Sequence, residues 1–304
     1  MVERTPILDL VTHVVLLVGL AMAAAPFVIV AIAASHSLHD VNLVPMPLNP
    51  GLDFWANVAK AWTEADLGRK LLNSFIFAAG VAAGKVVISA LTAFSIVYFR
   101  FPGRMLIFWA IFVTLMLPLE VRIVPTYAVA ANVLSPYQAI LDATGISWLI
   151  GKLTGVEVAL SLGLLNSYTG LILPLVATAT GTFLYRQFFL TVPDELTEAA
   201  RMDGAGPLRF FVDVLLPLSR TNMAALATIM FLWAWNQYLW PLLVTTDPSH
   251  ATAVTELKSL IPNVGGIPEW NIAMAGTLIV MLPPLVVVVF MQRWFVRGLI
   301  STEK

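Results

Sequence analysis

One lysine lies in the middle of a long apolar stretch of the sequence. Lys85 is the only charged residue between positions 71 and 98. Burying an ammonium group at the centre of a membrane costs about 2.5–3.5 kcal/mol on insertion scales, so an intramembrane cation is by default a functional candidate. We interpret Lys85 as a candidate for lining the path of an anionic solute. The alternative is a structural lysine that pairs with carbonyl groups or with a neighbouring subunit.

Glu120 and Arg122 form a second candidate pair near the end of another apolar stretch, beside Pro118 and Pro125. Prolines remove backbone hydrogen bonds, which a membrane tolerates only where protein or a water-lined cavity covers the freed groups. Residues two apart do not share a helix face, so we expect each side chain to contact a different neighbour. A gate or subunit contact is one interpretation of this pair, and plain helix-end charges are the other.

Asn236 and Gln237 are polar residues inside an aromatic run, "WAWNQYLWP" at residues 233–241. The aromatic rings are typical of a membrane–water interface. The two amides are costly to leave facing lipid, so we expect them to line a path or to face a partner subunit. Helix–helix hydrogen bonding is the alternative, because polar side chains commonly join helices in membranes.

The sequence offers no candidates for catalysis or metal binding. It has no Cys, and its four His, at positions 13, 36, 39 and 250, lack the spacing of metal ligands. No nucleophile and base are arranged as in an enzyme, so we predict a non-catalytic chain without a bound metal or cofactor. The segment "GVAAGKV" at residues 80–86 imitates a phosphate-binding loop but lacks its glycine spacing, its hydroxyl residue after the Lys and a preceding strand.

The elements that carry these residues are predicted to be membrane-spanning helices. The 304-residue chain is 59% hydrophobic and 12% charged, with a mean hydropathy of +0.86, whereas soluble domains carry roughly 25% charged residues. Its net charge of −1, without a basic patch, excludes nucleic-acid binding. A span needs about 20 mostly apolar residues. The charge-poor runs predict an all-α polytopic protein with six spans, at about residues 11–35, 71–99, 105–134, 160–190, 218–246 and 270–296.

The first run and the charges at the span ends set the expected topology. "AMAAAP" resembles the cleavage site of a signal peptide, but the apolar run continues past it, so we predict a retained helix. Placing both termini in the cytoplasm leaves ten Lys and Arg, among them Arg293 and Arg297, at the inner ends of the spans and six at the outer ends. This bias follows the positive-inside rule.

No soluble domain interrupts the spans, and residues 1–304 are predicted to form a single transmembrane domain. The longest segments outside the spans are residues 37–68, 135–160 and 247–269. Residues 135–160 contain apolar pieces separated by glycine that are too short to cross a membrane. We expect them to form small helices on the outer rim.

A charged segment, residues 193–217, separates the fourth and fifth predicted spans; we call it the elbow. Two acidic residues at its start place negative charge at the positive end of a first short helix. Gly204 provides a residue that can turn left-handed and end that helix. Pro207 suits the start of a second short helix, which Pro217 is expected to close. The elbow is therefore predicted to be two short helices, within residues 193–216, joined at a glycine hinge on the cytoplasmic side.

The surface of the elbow permits two interpretations. Small residues, among them Ala199 and Ala200, lie beside Glu198, and they would let a partner's backbone approach while the carboxylate pairs with an Arg. In the alternative, the elbow is an amphipathic helix on the inner membrane surface, and Glu198 pairs only with Arg201.

"EAARMDGAGPLRFFVDVLLP", residues 198–217, resembles the EAA loop of ABC-importer permeases. "FLYRQFFLTVPDELTEAARMDGAGPLRFF", "WNQYLWPLL" and "MQRWFVRGLISTEK" extend the likeness to sugar-importer permeases over nearly the whole chain. The resemblance implies a type I ABC importer permease fold, with Glu198 as an ion-pairing anchor on an ATPase subunit and Gly204 as the turn. The coupling surface that it implies consists of Glu198, Ala199, Ala200, Asp203, Gly204, Ala205 and Pro217.

The same resemblance implies a bacterial inner-membrane protein that forms half of a translocation pathway beside a homologous second permease. Two cytoplasmic ATPase subunits, which use ATP and Mg, and an extracytoplasmic substrate-binding protein complete the implied assembly. Glycerol-3-phosphate or a related glycerophosphodiester is the implied substrate, with neutral sugars or oligosaccharides as the alternative. A secondary transporter is less favoured, because the sequence shows no inverted repeat and no acidic pair at mid-membrane depth.

Overall fold

The structure, a computed structural model, describes residues 6–157, 159–261 and 267–300. These residues form helices joined by turns and loops, without a strand, which confirms the predicted all-α class. The chain divides into two compact units, Met1–Leu71 with Thr255–Leu282 and Leu72–Val254 with Pro283–Lys304. The chain ends at residues 1–5 and 301–304, whose cytoplasmic placement the sequence predicts, lie outside the described residues, as do the side chains of Arg293 and Arg297.

The helices alternate between long apolar elements and short connecting ones. In the first half of the chain they are α1 Pro6–Ser35, α2 Leu38–Val41, α3 Phe54–Glu64, α4 Leu67–Tyr98, α5 Arg104–Met116, α6 Leu119–Ala131, α7 Ser135–Ala143 and α8 Ile146–Thr154. In the second half they are α9 Tyr168–Ile172, α10 Ala179–Phe189, α11 Asp194–Met202, α12 Pro207–Phe210, α13 Leu216–Leu218, α14 Arg220–Trp235, α15 Leu239–Val244, α16 Ala253–Glu256 and α17 Trp270–Ile300. Short 3-10 turns follow α9 at Leu173–Leu175 and surround α16 at Pro248–His250 and Leu257–Leu260, and a π-helix at Phe211–Leu215 joins α12 to α13.

Three of the described helices are long and apolar enough to cross a membrane without a break: α1, α4 and the Trp270–Gln292 part of α17. Three bent helix pairs reach span length together, Arg104–Thr114 with Leu119–Ala131, Tyr168–Leu175 with Ala179–Phe189, and Pro207–Leu218 with Arg220–Trp235. Because a span needs about 20 apolar residues, the described chain has three candidate spans, or up to six if each bent pair is one span.

Two bends and one break divide three of the predicted spans at specific residues. The pair α5 and α6 bends by 103° where Pro118, the residue before α6, lacks the backbone donor that would continue α5. The pair that ends in α10 bends by 51° after Pro174. The predicted fifth span is interrupted at residues 236–238, between α14 and α15. The boundaries of the six spans and the single domain over residues 1–304 stay predictions.

A buried asparagine organises the first unit. The side-chain nitrogen of Asn57 donates to the carbonyl oxygens of Ala34 and His36, at 2.9 and 2.8 Å. Its side-chain oxygen accepts from the Asn271 amide at 2.8 Å. Buried polar groups are costly unless they are hydrogen-bonded, so these bonds fix α3 against the end of α1 and the start of α17. The 30 residues of α1 form one continuous helix through "AMAAAP", and its retention in the mature chain stays a prediction.

In the second unit, α4 is the helix against which the others pack. Its side chains at Phe77, Ala78, Val81 and Ala93 are fully or almost fully buried. A Cβ atom added at Gly84 would lie 2.5 Å from Cγ1 of Val176, closer than real side chains approach. The glycine therefore lets the broken segment between α9 and α10 lie directly against the middle of α4.

One side chain of α4 also holds the loop after α15. The Asn73 amide donates to the carbonyl oxygens of Ser249 and Ala251, both at 2.9 Å. Its oxygen accepts from the Tyr168 hydroxyl at 2.6 Å. Three bonds from one amide join α4, α9 and this loop. Residues 135–160, expected to contain small helices, hold α7 and α8, each nine residues long.

Candidate functional site

Lys85 lies at a cavity of about 220 Å³ within the second unit. The lysine is only 5% exposed, and its Nζ lies 3.6 Å from the centroid of the Trp233 ring. We call this space the cation cavity. Its walls come from α4, α14, the bend between α5 and α6, and the bend before α10. They include Pro118, Leu119, Arg122, Thr178, Thr180 and Trp233.

The structure brings Lys85 and Arg122 to one cavity, which sequence spacing could not show. Lys85 makes no hydrogen bond or ion pair with any described residue, and the Arg122 Nε is buried without a hydrogen-bond partner. No Asp or Glu is among the residues that line the cavity. Glu120 is exposed on α6 and is not part of the wall, so Glu120 and Arg122 do face different surroundings. Among the described residues, no carbonyl oxygen pairs with Lys85, and the alternative of a neighbouring subunit stays open.

Asn236 and Gln237 lie away from the cation cavity. Asn236 is exposed at the end of α14, where its amide donates to the carbonyl oxygen of Leu232 at 2.8 Å. Gln237 is half-buried in the break before α15. Asn236 therefore satisfies an end carbonyl of its own helix, and a path or partner role for either residue stays a prediction.

The threonines of the cavity wall were not predicted from the sequence. Thr178 precedes α10, and Thr180 is in its first turn. The available signal was weak: a hydroxyl-rich run, "ATATGT" at residues 177–182, follows Pro174 within an apolar stretch. Only the bend before α10 brings these hydroxyls to the same wall as Lys85.

The elbow has the predicted hinge. Helix α11 ends at Met202, and Gly204 has a φ of +74°, a left-handed conformation that other residues adopt only at a cost. The Ala205 N–H donates back to the carbonyl oxygen of Ala200 at 2.8 Å. The predicted left-handed turn at Gly204 is confirmed, and it lies between α11 and α12.

The second elbow helix ends one residue beyond the expected position, Pro217. Pro217 lies exposed inside a helical stretch that continues through Leu218 and turns only at Ser219. The preceding residues, Phe211–Leu215, form a π-helix, whose wider turn is a common way to accommodate irregular backbone bonding. Because proline has no N–H and its ring collides with the preceding turn, the widened turn accommodates Pro217, and the helix direction changes by 76° just after it, between Leu218 and Arg220.

The elbow presents an exposed outer face. Glu198, Ala199 and Asp203 are exposed, whereas Ala200 and Ala205 are half-buried and line cavities of about 200 and 260 Å³ on the two sides of α11. The ion pair between Glu198 and Arg201, expected if the elbow were self-contained, is not formed between these two described residues.

Two large apolar residues extend this outer face. Met202 is 83% exposed and Leu208 is 68% exposed. Neither was predicted as part of a docking surface. Exposed apolar side chains clustered on a small charged element are typical of an interaction site.

Aromatic rings anchor the inner side of the elbow to α4. The ring centroids of Phe211 and Phe94 lie 4.8 Å apart, and those of Phe210 and Tyr98 lie 5.4 Å apart. Both phenylalanines of the elbow are 5% exposed. Buried aromatic pairs of this kind contribute about 0.5–1.5 kcal/mol each beyond the burial of their area, so the elbow and the end of α4 are firmly connected.

Comparison with known proteins agrees with this architecture. The family described as "Binding-protein-dependent transport system inner membrane component" matches residues 85–301. The chain is 47% identical over 310 aligned positions to the sn-glycerol-3-phosphate transport system permease protein UgpE of Yersinia pestis bv. Antiqua, with the whole of both chains covered. Pectobacterium atrosepticum has a protein of the same name at 47% identity, and Escherichia coli O1:K1 has one at 46%, each also covered in full.

A solved structure shares the fold. It is described as the crystal structure of a bacterial ABC transporter involved in the import of the acidic polysaccharide alginate. The TM-score is 0.73 at 17% identity, over 97% of this chain and all of the other. The fold is therefore that of an ABC transporter membrane subunit. The matched profile and the full-length relatives lead to one conclusion: the chain belongs to the binding-protein-dependent transport system inner membrane components.

Proposed function

We propose that this chain is the permease subunit of an ATP-driven importer for glycerol-3-phosphate or a related glycerophosphodiester. The observation that carries the proposal is the 47% identity, over the full length of both chains, to permease proteins of sn-glycerol-3-phosphate transport systems. The chain forms half of the translocation pathway, and a homologous second permease forms the other half. A substrate-binding protein outside the inner membrane delivers the substrate.

The elbow is the docking point for a cytoplasmic ATPase subunit. Its exposed carboxylate at Glu198 has no partner in the described chain, and a charge-assisted bond to an Arg of the ATPase satisfies it. Met202 and Leu208 add exposed apolar area next to it. Glu198, Ala199, Ala200, Asp203, Gly204, Ala205 and Pro217 are the proposed coupling residues.

Movement of the ATPase is transmitted through the elbow to α4. The Phe94–Phe211 and Tyr98–Phe210 contacts couple the two elements, so closure of the ATPase pair displaces the elbow and the end of α4 together. Packed cores and interfaces respond by switching between discrete arrangements rather than by continuous deformation. The same α4 carries Lys85 at the cation cavity, and its displacement changes access to that cavity.

The chemistry of ATP hydrolysis belongs to the partner subunits. We propose that ATP and Mg are bound by two ATPase chains and that this chain is a non-catalytic subunit without a cofactor of its own. The segment at residues 80–86 supports this assignment, because it lies inside α4 rather than in the loop that a phosphate-binding motif requires.

The test is uptake by the complete importer in proteoliposomes. The chain is co-reconstituted with its second permease, ATPase and binding protein, and uptake of radiolabelled glycerol-3-phosphate is compared with that of a neutral disaccharide. We expect uptake of glycerol-3-phosphate that needs hydrolysable ATP. Uptake of the disaccharide alone would contradict the substrate, and uptake driven by a proton or sodium gradient without ATP would contradict the ATP-driven mechanism.

A further inference from the structure

We propose that the cation cavity is an anion-binding site for the phosphate group of a phosphate ester during its passage through the chain. The identity of the ester rests on the proposed function, whereas the sign of the bound charge follows from the cavity itself.

No ion pair within the described part of the chain involves Lys85 or Arg122. Lys85 is 5% exposed and Arg122 has a buried, unpaired Nε. The residues that line the cavity include no carboxylate. Buried charges are normally paired, because an unpaired charge loses its hydration without compensation. A buried ammonium and a half-buried guanidinium at one wall therefore create a site that an anion completes.

Two helices also begin at this cavity. Leu119 is the first residue of α6, and Thr178 is the residue before α10; both line the wall. The first backbone N–H groups of a helix have no acceptor within it and carry partial positive charge. Helices of 13 and 11 residues thus direct their positive ends towards the space that Lys85 faces. Interrupted helices bind the anionic groups of substrates in this way in other membrane transporters.

The contact between Lys85 and Trp233 suits a site that is occupied only transiently. With its Nζ 3.6 Å from the ring centroid, the ammonium has a cation–π partner while the cavity is empty. A phosphate oxygen offers a stronger, charge-assisted hydrogen bond, so the lysine can exchange one partner for the other. The Trp233 ring stabilises the Lys85 ammonium while the cavity is empty. Because the lysine prefers the anion to the ring only moderately, the substrate can leave.

A carboxylate of the second permease is the competing explanation for the unpaired cations. It would neutralise Lys85 and Arg122 in the assembled importer and leave no attraction for a soluble anion. The anion site predicts a positive field at the cavity wall, and the partner carboxylate predicts that this field is cancelled; a charged reagent can measure the difference.

The experiment places one thiol in the cavity of the assembled importer. The chain has no cysteine, so Thr180→Cys, at an exposed position of the wall, gives it a single reporter. Two thiosulfonate reagents of similar size are compared, one a sulfonate anion and one a trimethylammonium cation. The measured quantity is the ratio of their modification rates on this chain, divided by the same ratio for a free thiol.

We expect the anion to be favoured about tenfold or more, as clefts lined by one sign of charge favour counter-ions. Glycerol-3-phosphate and inorganic phosphate should slow the anionic reagent, and glycerol should not. Lys85→Gln and Arg122→Gln should each lower the ratio, and the double variant should bring it to about one. Lys85→Arg, which keeps the charge, should preserve it.

The matched control is Lys152→Gln. It also removes a lysine stacked on a tryptophan, at 4.9 Å from the Trp148 ring centroid, but outside the cation cavity, and the ratio should not change. A ratio of one or less in the starting protein, or a preference that survives the double variant, would overturn the anion site and favour the carboxylate of the second permease.

Uptake measured on the same preparations separates this proposal from the proposed function. An anion preference without ATP-dependent uptake of glycerol-3-phosphate leaves the anion site standing and rejects the substrate assignment. ATP-dependent uptake without the preference rejects the anion site and leaves the function standing.

Discussion

The ring centroids of Phe94 and Phe211 lie 4.8 Å apart, which joins the elbow to α4 through two buried side chains. Phe94 is nine residues beyond Lys85 along the same helix, a rise of about 14 Å at 1.5 Å per residue. One continuous helix, α4, therefore connects the contact with the elbow to the cation cavity. A force applied at the elbow reaches the cavity without passing through a loop.

We expect Phe211→Ala to break this connection. Replacing a buried Phe by Ala costs about 3–5 kcal/mol, so the variant should unfold at a lower temperature in detergent. It should also hydrolyse more ATP per molecule of substrate taken up, because the elbow moves without displacing α4. The control is Val212→Ala at the neighbouring exposed position, and equal coupling ratios in the two variants would contradict the mechanical link.

Gly204→Val should uncouple hydrolysis from uptake while the chain still inserts. A left-handed φ of +74° costs a residue with a side chain about 1–2 kcal/mol, and a β-branched one more. The turn should therefore open and misplace α11. Gly206→Val is the matched control, since Gly206 has a φ of −71° and free space for a Cβ. If both variants transport like the starting protein, the shape of the hinge has no part in coupling.

Glu198→Gln should weaken the binding of the ATPase subunit. Removing one partner of a buried, hydrogen-bonded charge pair at an interface costs about 2–5 kcal/mol, more than a tenfold loss of affinity. We expect a correspondingly higher concentration of ATPase for half-maximal uptake in a reconstitution titration. Glu195→Gln, one turn earlier on the exposed side of α11, should shift the titration little; an equal shift in both would indicate a general charge effect.

Asn73→Leu should release the loop after α15. The substitution removes the partners of the Ser249 and Ala251 carbonyl oxygens and of the Tyr168 hydroxyl. An unsatisfied buried group costs about 1–3 kcal/mol, so the loop should detach from α4 and become hydrated. Limited proteolysis should cleave near residues 247–252 faster than in the starting protein. Tyr168→Phe, which removes one of the three hydrogen bonds, should have a smaller effect. Unchanged cleavage in Asn73→Leu would show that Asn73 does not hold the loop against α4.

Local features of the sequence predicted the elbow well, because its chemistry is local. The glycine at position 204 follows a helical run that begins with acidic residues, and the left-handed turn is where that pattern indicates. The helical stretch runs one residue past the predicted end at Pro217. The π-helix at Phe211–Leu215 that precedes the proline has no signal in hydrophobic periodicity and was not predicted.

Only part of the cation cavity could be predicted from the sequence. Lys85 stands out by its charge within an apolar run, but its proximity to Arg122 depends on how α4, α6 and α14 pack. Thr178 and Thr180 lie in the wall because the chain bends before α10, and the sequence alone did not identify them. Conversely, the polarity of Asn236 suggested a path or partner role, whereas its amide donates to a carbonyl oxygen at the end of its own helix.

Contact between the elbow and an ATPase subunit is the central claim, and photo-crosslinking measures it directly. A benzophenone is attached to Met202→Cys in the cysteine-free chain of the assembled importer, with Leu106→Cys on the exposed side of α5 as the control for lipid contact. We expect position 202 to crosslink to the ATPase subunit, with a yield that changes when ATP is bound, and position 106 to give lipid adducts. Lipid adducts alone at position 202, with no ATPase crosslink in either nucleotide state, would contradict the account.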